Sequence, residues 1–190
     1  MSAKFSIKAL DHMVLYVASI EASVAFYTTH LGMAHTSFAP AGKAGEVRAN
    51  HLSIPVPLLK SSISHPTPLM PLATRHALTF GQQKINLHAA SSPYAPHARA
   101  PLSSTADFCL LTDTPVQEVA AALREGGVEL LRFGRDGEGR EAQLAEGGAG
   151  EGKDGEGAQV VMERTGARGR LRSVYVRDPD GNLVEISNYV

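Results

Sequence analysis

A short apolar run followed by an amphipathic helical pattern opens the chain. Residues 10–17 alternate in a way that is typical of a half-buried β-strand, with His12 near the start. Residues 20–29 carry an apolar stripe at helical spacing, preceded by Ser19 as a helix cap and followed by Gly32 as a stop. The pattern therefore predicts a strand followed directly by a helix.

The same order of elements occurs a second time. Residues 106–112 form another short apolar run, and Thr114 and Pro115 are typical of the cap and first position of a helix that two glycines end. An offset of 95 residues superposes the two copies and places His12 on Asp107. The chain is therefore predicted to contain an internal duplication.

Each copy also ends in a predicted β-hairpin. The first hairpin covers residues 78–88, and the second covers residues 174–187 around the turn sequence Asp-Pro-Asp-Gly at 178–181. An offset of 99 residues places Asn86 on Glu185. A duplication of this kind predicts two halves related by a pseudo-twofold axis, with a site between them.

Two inserts interrupt this single domain of residues 7–190. The first module, at about 7–92, contains six prolines between residues 39 and 74, which predict a long loop and a candidate lid or assembly surface. The second module, at about 104–190, contains nine glycines between residues 134 and 160. That second insert is predicted to be disordered, because it has too few apolar residues to offset its ordering entropy.

Composition and charge narrow the classes of function. The chain is 43% hydrophobic, and its 18 Lys+Arg and 19 Asp+Glu leave a net charge of −1, which argues against nucleic acid or an anionic membrane as a partner. The single cysteine, Cys109, excludes an internal disulfide framework and a Cys-rich zinc site. Without an apolar span or a signal segment, we expect a cytoplasmic protein whose chemistry uses Asp, Glu and His.

The duplication itself nominates candidate metal ligands. His12 and Asp107 occupy the same position of the first strand in the two copies, and Asn86 and Glu185 occupy the same position of the last strand. His88 lies two residues beyond Asn86 and therefore on the same face of its strand. Imidazole, carboxylate and amide oxygen are donors that a divalent first-row metal accepts, so these side chains predict a metal site.

Each candidate also has a purely structural interpretation. His12 follows Asp11 and can be held by a hydrogen bond to it, while His88 can simply end its strand. Asp107 can form an Asx-turn, and Glu185 can pair with an arginine. Glu185 is the hardest to explain structurally, because it interrupts an apolar strand where a carboxylate must be paired, protonated or metal-bound.

Several motifs together resemble the vicinal oxygen chelate superfamily of glyoxalases, bleomycin-resistance proteins and extradiol dioxygenases. They lie at residues 10–17, 25–27, 31–33 and 178–185. Residues 80–88 and 185–189 are similar to the glyoxalase domain-containing protein 5 branch of that superfamily. The resemblance implies an α+β fold in which two βαβββ modules form an incompletely closed eight-stranded barrel around a metal.

The resemblance also implies a ligand set. The superfamily's first-strand ligand matches His12 and its final-strand glutamate matches Glu185. Asp107 stands where a histidine is common, and Asn86 stands where a glutamate is often found, so His88 is the candidate replacement. The implied cofactor is a divalent ion such as Zn, Ni, Mn or Fe(II), and Glu185 is the candidate catalytic group that moves a proton.

Three functions are compatible with this pattern. The first is a metal-dependent glyoxalase-like lyase or isomerase that acts on a small vicinal-oxygen or α-keto substrate. The second is an Fe(II) extradiol-type dioxygenase that uses His12, His88 and Glu185. The third is a metal-free small-molecule binding protein of the bleomycin-resistance kind. The duplication permits a complete site in one chain, and the resemblance also permits a homodimer.

Overall fold

The structure is a computed structural model that describes residues 5–38, 74–135, 138, 140–144 and 158–190. The first insert therefore lies outside the described residues except for Thr74, as does most of the second. In chain order the elements are β1 (His12–Val17), α1 (Ile20–Leu31), β2 (Ala34–Phe38), β3 (Arg75–Phe80), β4 (Gln83–Ala89), β5 (Asp107–Leu111), α2 (Val116–Glu125), β6 (Phe133–Arg135), β7 (Glu141–Gln143), β8 (Met162–Gly166), β9 (Gly169–Arg177) and β10 (Leu183–Tyr189).

Two four-stranded sheets with the same topology confirm the predicted α+β architecture of two βαβββ modules. The first sheet has the order β1-β4-β3-β2 and the second has the order β5-β10-β9-β8, and in each the first strand runs parallel to the last. Val14 is opposite Asn86 in one sheet, and Cys109 is opposite Glu185 in the other. Cys109 follows Val14 by 95 residues and Glu185 follows Asn86 by 99, which are the offsets between the two copies in the sequence. The two copies therefore share the same strand register.

The described strands do not form one continuous barrel. Each of the two sheets is complete with its own four strands, and among the described strands no strand of one pairs with a strand of the other. The eight strands that the resemblance implies are present, but within one chain they form two separate sheets.

The two helices begin differently. Ser19 caps α1 as predicted, because its hydroxyl accepts a hydrogen bond from the backbone N–H of Ala22 at 3.1 Å, and Gly32 ends it with a positive φ of 64°. At α2 the prediction of Thr114 as the cap is wrong. Pro115 occupies the cap position and has no hydroxyl to offer.

One hydrophobic core joins the two modules. Its buried members include Leu15, Tyr27 and Leu87 from the first module and Leu123 and Val184 from the second. Helical and strand residues of both modules thus pack into the same cluster, so the opposite faces of the two sheets point away from it. This common core decides where the candidate site residues lie.

A short hairpin lies within the segment that the sequence predicts to be disordered. Strands β6 and β7 pair, and Phe133 forms a further bridge with Gln159. Leu131 and Phe133 pack with Tyr175 on the second sheet, which supplies the apolar burial that the glycine-rich sequence around them lacks. Residues 134–135, 141–143 and 159 of this insert are therefore paired with neighbouring segments, where the sequence predicts disorder.

No helix of the described residues combines the length and apolar character that a membrane crossing requires.

Candidate metal and ligand site

Each sheet has a face that points away from the shared core, and Leu131 and Phe133 cover part of that face on the second sheet. We call the side chains of β1, β3 and β4 that point away from that core the first outer face, and those of β5, β8, β9 and β10 the second outer face. Leu15 and Leu87 point into the core, so the alternate positions of β1 and β4 belong to the first outer face. By the same alternation, Asp107 and Glu185 belong to the second outer face.

His12 is exposed at the start of β1. Its Nδ1 atom lies 2.6 Å from the Oδ1 atom of Asp11, and this hydrogen bond is the main reason that the pKa of Asp11 is below its usual value. A carboxylate at one ring nitrogen fixes the orientation of an imidazole and leaves the other nitrogen available. In His12 the available atom is Nε2.

His88 is buried in the middle of the first outer face, with only 7% of its surface exposed. Its Nε2 atom lies 2.5 Å from the hydroxyl of Tyr94, whereas its Nδ1 atom is buried without a hydrogen-bond partner among the described residues. Burial, and then the charge of Arg75, lower the pKa of His88, so its ring is neutral near pH 7. Tyr16 contacts the ring edge-on at a centroid distance of 5.5 Å.

Asn86 lies next to His88 along the same face of β4. Its side-chain carbonyl oxygen, Oδ1, is also buried without a hydrogen-bond partner in the described part of the chain. Two neighbouring side chains on one strand face therefore each present one unpaired polar atom. Buried polar atoms are almost always paired, so this pair marks a place where a partner is expected.

Glu185 is held by hydroxyl groups on the second outer face. Its Oε1 atom accepts hydrogen bonds from the hydroxyls of Ser173 at 2.5 Å and Ser187 at 3.1 Å, and these two hydroxyl oxygens lie 2.7 Å apart. Neighbouring Tyr175 has its pKa raised to about 12 by burial and then by the charge of Glu185. Cys109 donates to Ser187 at 3.3 Å, and burial raises the pKa of its thiol.

The four predicted ligands do not converge within one chain. Asp107 is exposed at the start of β5, opposite Leu183, while His12 and His88 lie on the other sheet. Among the described ranges, no three His, Cys, Asp or Glu side chains are grouped so that they could hold a metal ion. The predicted ligand set is thus divided, with two residues on each outer face, and it stays a prediction.

Comparison with known proteins places this arrangement in a family. The profile of the Glyoxalase/Bleomycin resistance protein/Dioxygenase superfamily matches residues 9–186. The chain belongs to this superfamily. The match spans both modules and both inserts, so it includes all four predicted ligands.

Several relatives of this superfamily member match over most of its length. It is 30% identical over 189 residues to virulence protein STM3117 of Salmonella typhimurium, covering 100% of this chain and 90% of that protein. The crystal structure of STM3117 superposes with a TM-score of 0.62, covering 98% of this chain and 100% of that one. The integron cassette protein VCH_CASS1 of Vibrio cholerae is 31% identical, with a TM-score of 0.62 and 98% of each chain covered.

One fungal relative is named as a glyoxalase domain-containing protein. Glyoxalase domain-containing protein RDO1 of Mycosarcoma maydis is 27% identical over 186 residues, covering 98% of this chain and 71% of that protein. These likenesses support a glyoxalase-like fold for the two modules that the structure describes.

Sequence reasoning missed several polar residues of the two outer faces. Ser187 follows Glu185 by two residues, so its position on the same face was open to prediction. Ser173 lies opposite Ser187 because of the register between β9 and β10, which the sequence alone does not give. Arg75 and Tyr94 approach His88 from another strand and from the segment after β4, and nothing local in the sequence indicates either contact.

Proposed function

We propose that this superfamily member is a divalent-metal-dependent enzyme whose site forms between two copies of the chain. The first outer face of one copy would meet the second outer face of the other. The observation that carries this proposal is the division of the predicted ligands between equivalent strand positions on opposite sides of one core. In a dimer with twofold symmetry, the first outer face of each copy contacts the second outer face of the other copy, so the dimer contains two equivalent sites.

The donor chemistry of the two faces fits a first-row divalent metal. The bond from Asp11 orients His12 and leaves its Nε2 atom available, and the hydroxyls of Ser173, Ser187 and Tyr175 hold the carboxylate of Glu185. Such partners to a ligand are typical of metal sites in proteins. Asp107 adds an exposed carboxylate at the strand position equivalent to that of His12.

His88 fits the ligand set less readily than these three. Its Nε2 atom is engaged by the hydroxyl of Tyr94, so it could bind a metal through that atom only by giving up this hydrogen bond. We therefore assign the metal to His12, Asp107 and Glu185, with His88 as a fourth ligand only if Tyr94 is displaced.

The proposed reaction is a proton transfer on a small substrate with vicinal oxygens or an α-keto group. A bound divalent ion would polarise those oxygens. Glu185 is the proposed group that accepts and returns the proton, because hydrogen bonds from the hydroxyls of Ser173, Ser187 and Tyr175 hold its carboxylate in place on the second outer face.

An extradiol-type Fe(II) site needs two imidazole ligands, which here would be His12 and His88. Because Tyr94 already holds the Nε2 atom of His88, we favour a lyase or isomerase over a dioxygenase.

Two narrower proposals rest on the sequence alone. The motifs at residues 80–88 and 185–189 support a likeness to the glyoxalase domain-containing protein 5 branch, and a cytoplasmic location is in keeping with the single cysteine, Cys109.

The first test is metal content with matched variants. We expect about one Zn, Mn, Ni or Fe per chain in the wild type, and loss of that metal in both His12→Ala and Glu185→Ala. Glu118→Gln is the control, because this carboxylate lies on α2 away from both outer faces. Metal analysis and molar mass by light scattering are the measurements. A metal-free wild-type protein after incubation with all four ions would leave a small-molecule binding protein instead.

Complementation tests whether two copies share the site. If two variants, His12→Ala and Glu185→Ala, carry different tags and are co-expressed, the mixed dimer contains one site with both changes and one site with neither. We expect the mixed dimer to bind one metal per two chains although each variant alone binds none. A mixed dimer without metal would mean that each site is built within a single chain, and a monomeric wild type would mean the same.

A further inference from the structure

A cavity of about 330 Å³ lies where the two modules meet, and we call it the inter-module cavity. Its apolar wall consists of side chains that belong to the common core or pack against it, namely Met33, Phe80, Leu110, Val119, Leu123 and Ile186. The first two belong to the first module and the other four to the second. Because the core and the outer faces lie on opposite sides of each sheet, this cavity is separate from the proposed metal site.

The size and wall of the inter-module cavity are those of a small-molecule site. Ligand pockets in proteins start at about 300 Å³ and combine a mostly apolar wall with a few polar groups. Water occupies about 30 Å³ per molecule in the liquid, so the cavity has the volume of about eleven waters, or of one small two-ring organic molecule.

Three polar side chains border the cavity beside this apolar wall. They are His30 near the end of α1, Thr114 just before α2 and Glu118 in the first turn of α2. In the part of the chain that the structure describes, no hydrogen bond or ion pair engages the His30 ring, the Thr114 hydroxyl or the Glu118 carboxylate. All three groups are therefore available to a ligand.

The His30 ring is held in place by close packing. Its centroid lies 5.4 Å from that of Phe26, and a Cβ atom at Gly126 would lie only 3.0 Å from its Nδ1 atom. The end of α1 thus meets the end of α2 where only a glycine leaves room for the ring. This side of the cavity is shaped by the contact between the two helices.

The charge at the cavity selects the class of ligand. Glu118 is exposed at the edge of the cavity, and no lysine or arginine among the described residues lines it. The carboxylate also offsets the positive end of the α2 dipole, so an anion gains little there. A ligand with a positive charge would instead find a partner.

We propose that the inter-module cavity binds a small aromatic amine in its cationic form. The aromatic body would pack against the apolar wall, where Phe80 and His30 present ring surfaces. The ammonium group would pair with the carboxylate of Glu118, with the hydroxyl of Thr114 as a second acceptor. This binding needs no metal and does not depend on the proposed function.

Tryptamine and two analogues with the same indole ring test the charge preference on the unmodified full chain. 3-Methylindole is neutral and indole-3-acetate is an anion. The chain contains no tryptophan, so the fluorescence anisotropy of the indole reports binding directly. We expect tryptamine to bind about fivefold more tightly than 3-methylindole, which is the contribution of an exposed ion pair, and indole-3-acetate to bind most weakly. Equal binding of the three, or no saturable binding of tryptamine up to about 5 mM, would overturn the proposal.

Added bulk tests where tryptamine binds. Ala122 lines the cavity, whereas its neighbour Ala121 is also exposed on α2 but does not border the cavity. Ala122→Phe should weaken tryptamine binding about tenfold or more, because the new ring occupies the space of the ligand, and Ala121→Phe should leave it unchanged. Circular dichroism checks that both variants fold. Equal losses in the two variants would place tryptamine outside the cavity and overturn the assignment.

A second pair of variants tests the role of the carboxylate. Glu118→Gln should weaken tryptamine binding about fivefold, to the level of 3-methylindole, without changing the binding of 3-methylindole itself. Glu125→Gln is the matched control, since this exposed carboxylate also lies on α2 but does not line the cavity. A preference for tryptamine that survives Glu118→Gln would contradict the proposed ion pair.

Light scattering distinguishes a ligand from a second copy of the chain as the occupant. We expect neither tryptamine nor Ala122→Phe to change the molar mass. A changed molar mass in Ala122→Phe, together with a lack of tryptamine binding, would make the cavity a contact between copies and overturn the proposal.

This proposal and the metal enzyme fail independently. The titrations are carried out in EDTA, because the inter-module cavity lies away from the predicted metal ligands. Tryptamine binding by a protein that takes up no metal would retain the cavity site and overturn the metal enzyme. Metal uptake without a preference for tryptamine would retain the metal enzyme and overturn the cavity site.

Discussion

Tyr175 shows how one buried phenol is tuned by its neighbours. It lies on the second outer face with 6% of its surface exposed, beside Glu185, and the guanidinium Nε of Arg164 donates to its hydroxyl at 2.9 Å. Burial disfavours the phenolate, and the carboxylate of Glu185 disfavours it further, whereas Arg164 acts in the opposite direction. The net result is a pKa of about 12.

The raised pKa of Tyr175 predicts a loss of stability at alkaline pH. In the unfolded chain a tyrosine ionises near pH 10, whereas in the folded chain Tyr175 keeps its proton to about 12. Stability from this group is therefore complete below about pH 10 and is lost as the pH rises toward 12. We expect the urea midpoint of Tyr175→Phe to fall less than that of the wild type between about pH 9 and 11. If the urea midpoints of the two proteins fell equally with pH, Tyr175 would not be the cause of the loss of stability.

At the scale of the element, the start of α2 depends on a residue far away in sequence. The side-chain oxygen of Asn188, on β10, accepts a hydrogen bond from the backbone N–H of Val116 at 3.2 Å. Thr114, the residue that the local pattern favours as the cap, makes no side-chain bond to the helix. A cap supplied by another strand links helix formation to sheet formation.

Two alanine variants distinguish these caps. Asn188→Ala should lower the free energy of unfolding by about 1 kcal/mol, because a helix N–H loses its acceptor. Thr114→Ala should change it by less than about 0.5 kcal/mol, and Asn188→Asp should recover most of the loss because it keeps an acceptor. Urea denaturation followed by circular dichroism measures all three. A larger effect at Thr114 than at Asn188 would refute the tertiary cap.

At the scale of the whole molecule, Asp178 joins the two modules. This carboxylate is 5% exposed, and its Oδ2 atom accepts from the hydroxyl of Tyr27 in α1 at 2.9 Å. The backbone N–H groups of Asp180 and Asn182 donate to its Oδ1 atom, and the Asn182 amide also donates to Oδ2, at 2.8–2.9 Å. One buried charge thus stabilises a hairpin turn and holds the helix of the other module.

This junction predicts that the modules unfold together. Tyr27→Phe should lower the free energy of unfolding by about 1–3 kcal/mol, because it removes a hydrogen bond to a buried carboxylate. The transition should stay single when it is followed by probes of either module, since the core is shared. Tyr16→Phe is the control, as this half-exposed tyrosine lies outside the junction. Two separate transitions in the wild type would contradict a common core.

The element order and the duplication could be predicted from the sequence because they depend on local signals. Alternation, helix caps and turn residues act over a few positions, and the offsets of 95 and 99 placed His12 with Asp107 and Asn86 with Glu185 in the positions that the strand registers confirm. The same local signals did not predict strands β6 and β7, because the apolar contacts of that hairpin are made with a distant strand. Strands β6 and β7 form because Leu131 and Phe133 pack on Tyr175.

Only the tertiary structure decided how the modules combine and what surrounds each candidate ligand. The sequence by itself determined the strand, helix and hairpin order and the face of each strand on which the predicted ligands lie. The division of those ligands between two outer faces, the Tyr94 contact that occupies His88 and the serine hydroxyls on Glu185 depend on contacts between segments that are distant along the chain. Packing of the common core sets these contacts, and no local pattern encodes them.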